Sequence, residues 1–167
     1  MVARLRDLGD IKVGRPNLGE HMPVMVYRFF EMAIMNVLAD EFGQEYTEEL
    51  IRRAGYLAGT HLAELTLNKN LTFPDFISQL QEVLAEMRIG ILRIESSDLD
   101  AGKIQISIYE DLDCSGLPVT NEQICVYDEG FLAGILEFYT GASFEVRETD
   151  CWASGDTLCR FSATRRT

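Results

Sequence analysis

Three of the four cysteines lie in the C-terminal part of the sequence, near a glutamate whose spacing suits metal binding. Cys125 stands near the start of an apolar segment with helical spacing, while Cys151 and Cys159 belong to two alternating segments. Glu148 precedes Cys151 by three residues. Three thiolates and one carboxylate satisfy tetrahedral zinc in number and donor type, and a closed site of this kind is structural.

Spacing alone leaves a second interpretation of these cysteines open. Free cysteines are often buried as small apolar side chains, and the sequence contains no compact CxxC pair that would mark a metal site. A disulfide is the least favoured state, because cytoplasmic proteins rarely keep one. Metal ligands and buried apolar thiols therefore remain the two alternatives at this point.

Composition and charge favour a single globular domain and argue against several other classes of protein. The 167 residues are 47% hydrophobic and 25% charged, as expected for a globular domain with a core. The net charge of −12 disfavours direct contact with nucleic acid or an anionic membrane. The first twenty residues contain no apolar core of the length that a signal peptide needs, and no apolar run is long enough to span a bilayer, so we expect a cytoplasmic protein.

Hydrophobic periodicity predicts an α+β domain with the element order αααββαββ. Residues 1–22 are polar and contain glycines, so we expect an N-terminal arm followed by one domain over residues 23–167. The predicted helices cover residues 23–43, 44–67, 73–88 and 120–141, and the predicted strands cover 89–97, 103–111, 143–151 and 156–163.

Two of the predicted helices carry features that point to close contacts. The first helix has few polar positions, so we expect its burial against core, ligand or a partner subunit, and a homodimer is one outcome. In the second, Gly55 and Gly59 leave a flat surface on which another backbone can approach closely. Thr120 and Gln123 could form a capping box at the start of the fourth.

A longer pattern surrounds the cysteines. Cys125 is followed by GFLAG at 130–134 and by an E-x-x-C-x7-C hairpin that ends in Arg-Phe. This pattern resembles the signature of vinyl-4-reductase domains, also called hydrocarbon-binding domains, and the segments at 15–34 and 52–59 agree with it more loosely. The resemblance implies a helical layer on a small antiparallel sheet, a fold shared with transport-particle tethering subunits and nitric-oxide sensors.

The resemblance also implies a ligand set for structural zinc. In phenol-responsive regulators that look like members of this family, the sensory domain holds zinc through three cysteines and one glutamate. The corresponding positions here are Cys125, Glu148, Cys151 and Cys159. Cys114 lies outside that pattern, and we expect it to be an ordinary thiol, with a role as alternative ligand as the second option.

By the same resemblance, an apolar cavity would hold an aromatic or acyl molecule. Candidate lining residues combine apolar bulk with an occasional polar group, and they are Tyr27, Phe30, Tyr56, His61 and Trp152. Each has the alternative of being ordinary core.

We expect a sensor or carrier for a small hydrocarbon or aromatic molecule. The alternatives are a component of a vinyl-tetrapyrrole reductase and a dimeric assembly or tethering protein. The sequence has neither a dinucleotide-binding nor a nucleotide-phosphate-binding glycine motif.

Overall fold

The computed structural model of the chain describes residues 8–166. Its helices and strands, in chain order, are α1 Ile11–Gly14, α2 Val24–Phe42, α3 Gln44–Thr66, α4 Phe73–Glu86, β1 Ile91–Asp98, β2 Lys103–Tyr109, α5 Val126–Thr140, β3 Phe144–Asp150 and β4 Cys159–Arg165. The predicted order αααββαββ is confirmed, with the short α1 as an addition. Residues 1–7 of the predicted arm lie outside the described part.

The described residues form two compact units, one ending at Thr47 and the other beginning at Glu48. In the first unit, α2 begins after Pro23 and ends at Gly43, as the sequence predicts. Gly43 has a φ of 83° and donates its N–H to the carbonyl of Ala39, so the positive φ of a glycine ends the helix. The arm at 1–22 and the single domain at 23–167 stay predictions.

Helix α2 is apolar yet exposed along its length. None of its residues is buried, and the side chains of Phe29 and Phe30 are each 68% exposed. Within its own unit, the expected burial of this helix is therefore not found. Contact with a ligand or with a partner subunit, the other two alternatives, remains a prediction.

In the second unit, a four-stranded antiparallel sheet has the order β1-β2-β4-β3. Alternate residues of each strand point into the core, because successive side chains of a strand lie on opposite faces. The buried side chains of β2 include Ile104 and Ile106, and those of β4 include Phe161. Helix α4 contributes Phe76 and Leu80 to the same core. This arrangement is the predicted helical layer on a small sheet.

Helix α5 packs against α3 through glycines on both helices. A Cβ atom added to Gly55 or Gly59 of α3 would overlap backbone carbonyl groups of α5. One added to Gly130 or Gly134 of α5 would overlap backbone carbonyls of α3. The close approach predicted for Gly55 and Gly59 is thus confirmed, and its partner is the helix that carries the GFLAG motif.

The predicted start of this helix at Thr120 is wrong, because α5 begins at Val126 after Cys125. The backbone N–H groups of Thr120 and Asn121 both donate to the carbonyl of Ala153, at 2.8 and 2.9 Å. Thr120 and Asn121 therefore bond to the β3–β4 connection, and no capping box forms at Thr120. This places Cys125 beside the hairpin that carries the other two motif cysteines.

Candidate metal centre and ligand pocket

Four buried thiols converge where the β3–β4 hairpin meets the start of α5. Cys125 is the residue before α5, Cys151 follows β3, Cys159 begins β4, and Cys114 lies in the loop after β2. Their sulfur atoms all lie within 4.8 Å of one another. Cys125 Sγ is 3.8 Å from Cys151 Sγ and 3.7 Å from Cys159 Sγ. Cys114 Sγ is 3.0 Å from Cys159 Sγ.

Two of the sulfur separations fit one tetrahedral metal ion, whereas Cys114 Sγ and Cys159 Sγ, at 3.0 Å, lie closer together than two ligands of such an ion. Zinc–sulfur bonds of about 2.3 Å place tetrahedral ligands about 3.8 Å apart, and two of the sulfur pairs lie at 3.7 and 3.8 Å. The three predicted cysteines are thus brought together. The structure also adds Cys114, which the sequence favoured as an ordinary thiol, to the four-donor group.

Local hydrogen bonds order the two loops that carry Cys114 and Cys151. Asp111 Oδ1 accepts from the backbone N–H groups of Asp113 and Cys114, at 2.9 and 3.2 Å. The backbone N–H of Cys151 donates to Ser154 Oγ at 3.0 Å, and that hydroxyl donates to the carbonyl of Cys151. These hydrogen-bonded turns position both sulfur atoms.

Glu148, the predicted fourth ligand, lies beside the sulfur group without being one of its four members. Its Oε2 accepts the backbone N–H of Cys125 at 3.1 Å, while its buried Oε1 has no nitrogen or oxygen partner. Burial, and next the neighbouring thiol of Cys151, raise the pKa of Glu148 to about 8. A buried carboxylate oxygen with no partner is a costly arrangement that a bound cation would relieve.

The thiols do not ionise independently. Hydrogen bonds from Cys114, Cys125 and Cys159 lower the pKa of Cys151. Hydrogen bonding to Cys114 raises the pKa of Cys125 and of Cys159. One thiolate is therefore stabilised by its neighbours while the others resist losing a proton. A cation removes this conflict, because a metal-bound thiol is deprotonated.

A pair of buried aspartates adjoins this group. Oxygen atoms of Asp111 and Asp128 lie within 4.8 Å of each other and of Cys125 Sγ. Burial raises the pKa of both aspartates, and for Asp128 the charge of Asp111 comes next among the causes. Two close carboxyl groups in an apolar setting favour sharing one proton. Sequence analysis missed this pair, because Asp128 looks like an ordinary first-turn acid of a helix.

A partly buried ion-pair network joins α3, α5 and β3. Glu129 Oε2 accepts from Arg52 Nε at 2.8 Å and from an Arg147 guanidinium nitrogen at 3.1 Å. Glu129 Oε1 accepts the backbone N–H of Glu148 at 2.9 Å. The side chain of Glu129 is only 8% exposed. This carboxylate therefore ties β3 to both helices, a role that sequence analysis did not assign.

A pocket of about 310 Å³ opens beside that network. Residues of α3, α5 and β3 line it, among them Arg53, Tyr56, Ala133 and Val146. Its volume falls at the small end of the range for ligand pockets. Of the predicted ligand-binding residues in the second unit, Tyr56 lines this pocket.

The other predicted ligand-binding residues have different surroundings. Trp152 Nε1 donates to the carbonyl of Leu117 at 3.1 Å, and His61 Nδ1 lies 3.6 Å from a carboxylate oxygen of Glu64. Neither Trp152 nor His61 lines the pocket. In the first unit, Tyr27 is half-buried and Phe30 is exposed. A ligand-binding role for these four residues stays a prediction.

Comparison with known families identifies the C-terminal segment. A family model described as the V4R domain matches residues 104–165, from β2 to the end of β4. This segment is therefore similar to the V4R domain. The vinyl-4-reductase resemblance predicted from the cysteine pattern is thus confirmed, and all four buried thiols lie within the matched residues.

Archaeal relatives extend the similarity along the chain. One uncharacterised protein of Methanocaldococcus jannaschii is 35% identical over 95 residues, which are 57% of this chain and 56% of the relative. A second from the same organism is 22% identical over 159 residues, covering 93% of this chain and 85% of the relative. The chain therefore spans little more than half the length of the first relative.

Solved structures confirm the predicted fold of the chain. A vinyl-4-reductase family protein from M. jannaschii superposes with a TM-score of 0.65 at 19% identity, over 90% of this chain and 85% of that one. The phenol-responsive sensory domain of the transcription activator PoxR gives 0.66 at 16% identity, over 88% and 76%. A trafficking protein particle complex subunit 3 from Naegleria fowleri gives 0.64 at 14% identity, over 86% and 95%.

An H-NOX protein from S. oneidensis has the same α+β fold at a greater distance, with a TM-score of 0.52. The predicted relation to both nitric-oxide sensors and transport-particle subunits is thereby confirmed at the level of fold. Among the described helices, none combines the length and apolar character needed to cross a membrane.

Proposed function

We propose that this chain is a small-molecule-binding sensor or carrier whose C-terminal hairpin is held by structural zinc. The observation that carries the proposal is the convergence of four buried thiols inside the segment that is similar to the V4R domain. A ligand pocket in the same compact unit supports the binding role. Proteins of similar fold include one described with phenol and one covalently bound to palmitic acid.

Cys125, Cys151 and Cys159 would supply three of the four zinc ligands. Two side chains compete for the fourth position. Glu148 has a buried oxygen without a nitrogen or oxygen partner, whereas Cys114 Sγ is already within the four-sulfur group. Either choice gives four anionic donors around one divalent ion. The zinc would fix the hairpin to α5 and would take no part in catalysis, because all four positions are filled by protein.

Native mass spectrometry tests the binding role. Protein purified gently under reducing conditions should carry a non-covalent small molecule, or should gain thermal stability when apolar and aromatic probes are added. Absence of both a retained molecule and a stabilising probe would remove the binding proposal. The zinc proposal is independent of this result, because it concerns the cysteine group and is read from metal content.

The exposed α2 favours a homodimer as the working form. Its apolar residues cover most of its circumference, and many stand more than one-third exposed, including Val26, Phe29, Phe30 and Val37. Monomeric proteins rarely leave a contiguous apolar surface of this kind in water. A second copy of α2 would bury it by the same surface on both subunits.

Location in the cytoplasm also stays a prediction.

A further inference from the structure

The charged side chains that line the pocket beside Glu129 differ in whether they have a partner within the protein. Its four glutamates all have partners. Glu49 pairs with Arg52, and Glu145 pairs with Arg147. Glu129 accepts from both of those arginines, and Glu137 hydrogen-bonds with Tyr56. The acidic groups of the pocket are therefore already neutralised or hydrogen-bonded by protein.

Two arginines of the same pocket have no side-chain partner among the described residues. Arg53 and Arg166 both line it, and neither side chain takes part in any ion pair or hydrogen bond of the described residues. Both are exposed, so each guanidinium can turn toward a bound group. The four arginines and four glutamates that line the pocket balance in formal charge, so Arg53 and Arg166 are distinguished by lacking a partner and not by a local excess of positive charge.

The inner wall of the pocket is apolar. Ala133, Phe144 and Val146 line it and are buried, with Phe144 only 5% and Val146 only 3% exposed. The ring of Tyr56 adds a further apolar surface beside them. A molecule that fits both parts has a short apolar body and a negatively charged head. The planar fork of arginine suits a carboxylate, because it can donate two parallel N–H groups.

We infer that this pocket binds a small organic acid, with Arg53 and Arg166 receiving its carboxylate and the wall formed by Ala133, Phe144 and Val146 receiving its apolar body. This inference rests on the proposed small-molecule function and specifies its ligand class. It replaces a purely apolar ligand with an amphipathic anion. A volume of about 310 Å³ limits the body to one aromatic ring or a short aliphatic chain.

NMR-detected titration of the full chain tests the inference with two matched pairs of probes. Benzoate is compared with benzyl alcohol, and octanoate with octanol, at low ionic strength and neutral pH. We expect each acid to bind at least tenfold more tightly than its alcohol, with shifts at the amides of Tyr56 and Val146. Added salt should weaken the acids and leave the alcohols nearly unchanged.

The double variant Arg53→Gln/Arg166→Gln should remove the preference for the acid. Arg93→Gln is the control, because Arg93 lies on β1 over the ring of Tyr109 and does not line the pocket. Both variants change exposed side chains and should fold. Acid binding that survives in the double variant would overturn the inference.

The probes also separate this inference from the broader proposal. Alcohols that bind as tightly as acids would refute the organic-acid ligand while leaving a small-molecule function in place. Failure of all four probes to shift any pocket amide would count against both.

Discussion

Helices α2 and α5 have similar composition and opposite surroundings. Both are apolar around most of their circumference. Every residue from Asp128 to Leu136 of α5 is buried, whereas no residue of α2 is. Helix α5 has its covering partners within its own unit, through glycine contacts to α3 and through the cysteine group. An apolar pattern therefore predicts that a helix is buried, but it does not identify the surface that buries it.

This comparison separates two kinds of stabilisation, and substitutions can test it. Changes around α5 and the cysteines should lower the stability of the folded chain. Changes on α2 should alter assembly while leaving the fold nearly intact. Equal effects on stability in the two regions would remove the distinction.

The largest effect is expected from the loss of a shared zinc ligand. Cys151→Ser removes a thiolate that belongs to both candidate ligand sets, so metal binding and its contribution to folding should be lost together. We expect the free energy of unfolding to fall by about 4 kcal/mol or more, since metal loss is among the most damaging changes. Denaturant titration of metal-loaded protein measures it.

The Cys151→Ser result has an internal check. A chelator should destabilise the natural protein to about the level of the variant and should leave the variant unchanged. A variant as stable as the natural protein would show that these thiols are only buried apolar side chains.

A smaller but still large effect is expected at the α3–α5 crossing. In Gly130→Ala the added Cβ would overlap the backbone carbonyl of Arg52, so the two helices must separate. Overpacking of this kind costs about 3 kcal/mol. The control Gly14→Ala places its Cβ in open space and should change stability by no more than about 0.5 kcal/mol. Equal melting temperatures for the two variants would contradict the crossing.

An intermediate effect is expected from the buried carboxylate of α5. Glu129→Gln keeps the shape but removes the charge that faces Arg52 and Arg147. Arg147 is half exposed and can be hydrated by water. The free energy of unfolding should therefore fall by about 2 kcal/mol, less than for the loss of a fully buried pair. Glu145→Gln, which alters the exposed pair with Arg147, should cost about 0.5 kcal/mol or less. Urea unfolding of both variants measures the difference.

The smallest effect on stability, and the largest on assembly, is expected on α2. Val26 and Val37 lie eleven residues apart and so share one helix face, and both are exposed. Val26→Glu/Val37→Glu should convert a dimer to a monomer with a change in chain stability below about 1 kcal/mol. Light scattering at micromolar concentration measures the mass. Glu41→Lys, at an already polar position of α2, is the control, and a natural protein that is already monomeric would contradict the dimer.

The order of the elements was predictable because local chemistry marks them. Gly43 ends α2 with a positive φ, and Thr72 caps α4 by accepting the N–H of Asp75. The alternating segments became β1 to β4 in the predicted order. These signals lie within a few residues of the feature that they predict, so a single sequence contains them.

The parts that sequence analysis missed depend on contacts between distant residues. Thr120 looks like a helix cap, yet its N–H bonds to Ala153, which lies in the hairpin connection. Cys114 joins the sulfur group because Ile108 at the end of β2 pairs with Cys159, which brings the following loop beside the hairpin. A prediction that β2 pairs with β4 could have placed Cys114 near Cys159, because Cys114 follows β2 closely.

X-ray absorption at the zinc edge, combined with elemental analysis of natural reduced protein, tests the metal centre most directly. We predict one zinc ion per chain with at least three sulfur ligands at about 2.3 Å. Three sulfurs and one oxygen would assign the fourth position to Glu148, and four sulfurs would assign it to Cys114. Protein without a metal ion, or zinc with fewer than three sulfur ligands, would contradict a centre built on Cys125, Cys151 and Cys159.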